Sequence, residues 1–204
     1  MTILIIAIAA LAITSVAAQV LIPRIGERQI ERRLAHNGGD AFVSLAAMPS
    51  TRLLRREGDR ILVRGRRLEI GMSRGGGGLS ALDGFESVDV ALGEVVTGPF
   101  EIAAFELRRD GEGPYRMRSE ATTSGTALAG YGFESLGGLA PLLAMLARQA
   151  PLGSRGFRVE VEVELVSENG VLSITAGEGT IAGYPAGPIA KLIASAVARG
   201  LEVG

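Results

Sequence analysis

Residues 2–22 (TILIIAIAALAITSVAAQVLI) carry no charged side chain. As one helix, these 21 residues cover roughly 31 Å, close to the ~30 Å hydrocarbon core of a bilayer. The run divides the chain into 1–22, a transmembrane anchor or signal segment, and 23–204, a single domain. Three readings compete for the run. A cleaved signal peptide has small residues at Val16-Ala17-Ala18, a buried core helix needs no membrane, and an anchor explains why Val20, Leu21 and Ile22 continue past that site. The anchor fits best. Its orientation is contested, because Arg24, Arg28, Arg32 and Arg33 follow the run and no Lys or Arg precedes it. The positive-inside rule alone would keep the domain in the cytoplasm.

The remaining composition closes off several function classes. Lys plus Arg number 21 against 22 Asp plus Glu, which argues against a general nucleic-acid binder. Without Cys there is no disulfide, no thiolate metal site and no Cys nucleophile. His36 is the single histidine, so a cluster of histidine ligands is impossible. Trp is absent and aromatics are 4 %, too few for a base-stacking platform. No cofactor is expected. All basic residues but Lys191 are Arg, which with abundant Ala and Gly suggests a GC-rich bacterial source.

Alternation and turn residues predict the elements. Residues 24–36 read as a helix leaving the membrane, kinked or restarted at Pro23 and ended by Asn37-Gly38-Gly39-Asp40. A short strand over 41–48 precedes a helical turn from Pro49-Ser50 through Leu54. A strand over 59–71 has Ile61 and Val63 on one face. Its parity shifts at Arg66-Arg67, where a bulge would return Leu68 and Ile70 to that face. Residues 73–84, with Gly75 to Gly78, read as a loop. Strands follow over 85–96, 100–109, 114–123, 157–166 and 171–176, with turns at 97–99, 110–113 and 167–170. Helices are expected over 139–149 and 186–201, after a shorter helical piece within 126–138. The order predicts an α+β fold with a curved antiparallel meander sheet, and no βαβ unit is evident.

Chemical motifs are sparse. Gly177-x-Gly179-x-x-Ala182 imitates a dinucleotide fingerprint, but Gly183-Tyr184-Pro185 blocks the helix that must follow. The Gly75–Gly78 run lacks the Lys of a phosphate loop. Glu160, Glu162 and Glu164 share one strand face; they could hold a hard cation, but the plainer reading is the wet side of an amphipathic strand. His36 reads as a helix-end residue. No constellation supports an enzyme.

Charge and apolar surplus say more. Residues 24–74 carry 12 Arg and 6 acids, net +6, and residues 75–204 are net −7. Arg52, Arg55, Arg56, Arg60, Arg64, Arg66, Arg67 and Arg74 concentrate the basic half, where they read as a solvated face or as a contact for anionic headgroups. The segments 139–149 and 186–201 are apolar on more than one side. Over an amphipathic sheet they form a thick core, a dimer interface or the walls of an apolar groove. The groove reading names Phe105, Leu107, Leu142, Leu143, Leu146, Ile189, Leu192 and Ile193 as its lining, with Arg64, Arg66 and Arg67 at a headgroup.

Ala47-Met48-Pro49-Ser50-Thr51-Arg52-Leu53-Leu54, Gly84-Phe85-Glu86-Ser87-Val88-Asp89-Val90, Asn169-Gly170-Val171-Leu172 and Gly183-Tyr184-Pro185 before an apolar helix carry a family likeness. With the N-terminal apolar run and charged helix, the chain resembles the actinobacterial LmeA-like family of phospholipid-binding envelope proteins over roughly residues 1–200. The Arg-rich stretch 52–74 and the Gly75–Gly78 loop depart from that pattern. The resemblance implies a fold similar to half of a tubular lipid-binding protein, a place outside the plasma membrane and a non-enzymatic role in binding or moving phospholipid. It supplies no catalytic residues. The rival is a membrane-anchored interaction module whose apolar helices form a protein interface; no protein partner is legible.

Overall fold

Strict alternation builds the centre of this protein. Phe105 and Leu107 point inward from one strand while Glu106 and Arg108 point out, and Tyr115, Met117, Ser119 and Ala121 do the same on the next. A period of two puts one face of each strand in the core and the other in water. The structure, a computed structural model, describes residues 2–71, 79–124, 127, 156–168, 171–181, 184–185, 193–194 and 197.

The chain opens with α1 (Thr2–Leu34), which runs through Pro23. Its side chains are described from Ala17 onward. Strand β1 (Asp40–Ala46) leads into a 3₁₀ helix (Ser50–Arg55) and β2 (Gly58–Arg66). One turn of helix, α2 (Ser80–Asp83), precedes β3 (Phe85–Thr97), β4 (Phe100–Asp110) and β5 (Tyr115–Ser124). Then come β6 (Gly156–Glu168), β7 (Val171–Ile181) and the two-residue β8 (Tyr184–Pro185). All eight strands form one sheet in chain order. Every pair is antiparallel except β2 with β3. The α+β class expected from the sequence therefore stands, as an antiparallel-dominated sheet with few helices.

The parallel pair corrects the expected pure meander. Parallel neighbours need a crossover of a dozen or more residues, usually a helix. Here the crossover, residues 67–84, holds only the single turn of α2 among its described residues, so it carries no helical periodicity to announce itself. The parity shift at Arg66-Arg67 has the anticipated result by a different device. Arg67 adopts φ 55°, and both Leu68 and Ile70 are buried. Beyond β2 the chain continues along β3, where Ile70 N donates to Val96 O at 2.9 Å and Val96 N to Leu68 O at 2.8 Å.

Gly39 sits against this corner with φ +87°. A Cβ there would lie 2.2 Å from the Arg67 carbonyl oxygen, so neither the backbone nor the space admits a side chain. Register shifts at Ile102/Ala104 and Glu164/Leu165 add local bends to the sheet.

One apolar core cluster extends from Ile30 and Leu34 of α1 through the inner faces of β1 to β6 to Ile193, Ala194 and Val197. The outer face is a lattice of charge. Arg116 and Arg118 of β5 stand opposite Glu164 and Glu162 of β6, and Arg158 reaches Glu160 at 2.7 Å.

Among the described residues, no helix is long and apolar enough to cross a membrane. The structure thus gives no support to the expected N-terminal membrane helix. Residues 2–22 are helical, and the expected division after residue 22 falls inside α1. Ser50 is buried, its N–H donates to Gln19 Oε1 at 2.9 Å, and its hydroxyl donates to the Ala18 carbonyl at 3.1 Å. Pro23 cannot donate to the Gln19 carbonyl, so Ser50 docks at the turn where the helical ladder is one bond short.

Candidate functional site

α1 is held to the sheet edge by two carboxylates. Glu27 and Glu31, one helical turn apart, accept the backbone N–H groups of Leu45 (2.8 Å) and Val43 (3.0 Å). Four residues of helix rise ~6.0 Å and two residues of strand ~6.6 Å, so the spacings match. Gly26 permits the close approach, since a Cβ there would lie 2.9 Å from Leu45 Cδ1. The exposed edge of β1 is thereby covered.

Beside this seam lies an apolar groove of about 430 Å³. Ile22, Ile25, Gln29 and Ile30 of α1 form one wall, Leu53, Leu54 and Arg56 of the 3₁₀ segment the other. Ile61, Ala81 and Phe85 lie among its remaining lining residues. The volume lies within the ~300–1,000 Å³ of small-molecule sites. Around it Met48 is 80 % exposed, Leu54 73 % and Ile25 63 %. Large apolar side chains so open to solvent, gathered at one end, mark a contact surface rather than a packing error.

A wider hollow of about 840 Å³ lies on the outer face of β4, β5 and β6. Its lining is mostly charged, and Arg108 meets Glu106 at 3.3 Å while Arg116 meets Glu164 at 3.6 Å. Glu160, Glu162 and Glu164 belong to this ion-paired face, and no metal-binding group of three is present among the described residues. His36 is exposed beyond the end of α1.

The closest-knit polar cluster ties α2 to the sheet. Asp83 accepts hydrogen bonds from the Tyr115 hydroxyl (2.9 Å) and the Ser167 hydroxyl (2.6 Å). Arg109 lies 4.4 Å above the Tyr115 ring and donates to the carbonyls of Leu82, Asp83 and Phe85. Burial, first of all, pushes the Tyr115 phenol well above its ordinary range. A phenol held so firmly protonated serves as a donor, so the cluster is a clamp.

The residues expected at a lipid site are dispersed. Phe105, Leu107 and Ile193 are fully buried members of the core cluster. Leu142, Leu143, Leu146, Ile189 and Leu192 lie outside the described residues. Arg64 forks onto Asp89 at 2.7 and 3.1 Å, and Arg67 reaches Asp40 at 2.7 Å. Arg66, at the last position of β2, is exposed. Ile61 of β2 lines the groove, and Arg64 and Arg66 lie roughly 10 and 17 Å further along that strand. The groove between α1 and the 3₁₀ helix was not anticipated. Its signals were a glycine inside a charged helix and the apolar pair Leu53-Leu54 shortly after Met48-Pro49. No protein-family model, curated protein or solved structure matches the chain.

Proposed function

We propose that this protein is a non-enzymatic phospholipid-binding or phospholipid-transfer module of the cell envelope, held at the membrane by its N-terminal apolar segment. The groove between α1 and the 3₁₀ helix carries the reading, because it is apolar, of ligand size and rimmed by exposed Ile25 and Leu54. An acyl chain burying about ten methylenes there gains roughly 8 kcal/mol. Arg56 lines the same groove, where its guanidinium supplies a cation for a headgroup phosphate. Likeness to the LmeA-like family, and with it a half-tubular lipid-binding fold outside the plasma membrane, belongs to this proposal. It rests on the motifs quoted from the sequence and on the antiparallel-dominated sheet.

The test is the double variant Ile25→Asp/Leu54→Asp. Both side chains are exposed, so the fold is expected to persist. The full chain, released from bacterial membranes in mild non-ionic detergent, should carry about one phospholipid per chain by native mass spectrometry and lipid extraction, and the variant should carry none. Equal retention by a variant of unchanged Tm overturns the groove assignment. The exposed apolar rim also favours a second reading, a protein-interaction module. A concentration-dependent dimer free of lipid would establish that one instead.

A further inference from the structure

We propose that the end of the domain where α1 enters it is a membrane-docking face, in which Leu21, Ile25, Met48 and Leu54 bed into the headgroup boundary of an anionic bilayer. The inference deepens the lipid-binding reading, since it fixes where the groove opens, and it relies on residues 2–22 entering the membrane.

The uncharged run extends through Ile22, yet Ala18 and Gln19 already contact the domain. Residues 18–22 belong to both, so no linker separates the apolar segment from the folded body. Wherever the run enters lipid, Ser50 and the 3₁₀ helix are carried to the surface with it.

Leu21 and Ile25 lie one turn apart on the same helix face. Met48 and Leu54 come from the segment that Ser50 fixes against Gln19. All four are exposed. A short apolar surface continuous with a helix that enters lipid suits the interface between acyl chains and headgroups.

Arg24, Arg55 and Arg56 are exposed beside these residues. Of the neighbouring acids, Glu27 and Glu31 are bonded to the β1 backbone and Asp59 is paired with Arg52 at 2.6 Å, which leaves the exposed Glu57 beside three arginines. Cations over an apolar patch complement an anionic membrane surface.

Because the chain has no cysteine, the face can be probed one position at a time. Full-length Met48→Cys, Leu54→Cys and Val96→Cys variants would carry an environment-sensitive dye. Each would be reconstituted in vesicles of phosphatidylglycerol and phosphatidylcholine. Val96 is also exposed but lies near the end of β3 paired with the start of β4, at the other end of the sheet. Brominated lipid should quench the dyes at 48 and 54 several-fold more than the dye at 96, and aqueous iodide should show the reverse. Vesicle flotation with all three dyes open to iodide overturns the docking face and leaves the groove reading standing. Dyes at 48 and 54 shielded from both quenchers assign the face to protein contact and overturn it too. A chain that fails to float overturns both the docking face and membrane entry, while lipid extraction tests the groove separately.

Discussion

Glu31 accepts the backbone N–H of Val43 at 3.0 Å, so a carboxylate on a helix completes the hydrogen bonding of an edge strand. Glu27 repeats the bond at Leu45. The pair makes α1 an integral wall of the domain and holds open the groove beside it. Replacing both by Ala should cost about 2–4 kcal/mol, since each strips a part-buried donor of its partner at ~1–2 kcal/mol. Denaturant titration reads the loss. Light scattering should show self-association, because the β1 edge is uncovered.

The clamp on α2 makes a graded prediction. Tyr115→Phe removes one hydrogen bond and leaves Asp83 its bond from Ser167, so it should cost about 1 kcal/mol. Asp83→Ala strands Tyr115, Ser167 and the largely buried Arg109 together, and should cost about 3 kcal/mol. Equal losses in thermal unfolding would show that Asp83 does not organise the cluster.

Asp89 sets a pH dependence. The hydrogen bond from Arg64, with the charges of Arg64, Arg108 and Arg60, outweighs burial and holds its carboxyl below the usual value of 3.8. A depressed carboxyl stabilises the fold above its unfolded pKa, and that contribution fades as pH falls through the lower folded value. Both side chains are partly exposed, so the effect is at most about 1 kcal/mol. Asp89→Asn should match the wild type near pH 2 and fall below it by pH 6 in urea-denaturation midpoints.

Gly39→Ala should destabilise the corner between α1 and β1 by about 2 kcal/mol or more, because a side chain meets the Arg67 carbonyl in a backbone conformation that favours glycine. Gly38→Ala is the comparison. It shares the positive φ but has open space around its Cβ, so it should cost distinctly less in thermal unfolding.

The sheet was legible wherever one face is wet. Val159, Val161 and Val163 alternate with Glu160, Glu162 and Glu164, and the strand lies where that pattern puts it. The shift at Arg66-Arg67 was legible as a parity error, which Arg67 resolves with a left-handed backbone. The parallel pairing of β2 with β3 was not, because the described part of its crossover holds only a single turn of helix. Glu27 and Glu31 read as part of a solvated charged helix, since nothing local reveals that a carboxylate will cap a strand distant in sequence. The groove escaped for the same reason: its walls come from residues 22–30, 53–56, 61, 81 and 85, joined only by topology.

The most direct test places a phospholipid bearing a photoactivatable group on its acyl chain in vesicles with the full-length protein. After illumination, adducts are mapped by peptide mass spectrometry. The account predicts adducts on Leu53, Ala81 or Phe85, lost when Ala81→Phe fills the groove. Adducts confined to residues before Ala18, with none in the groove, would contradict it.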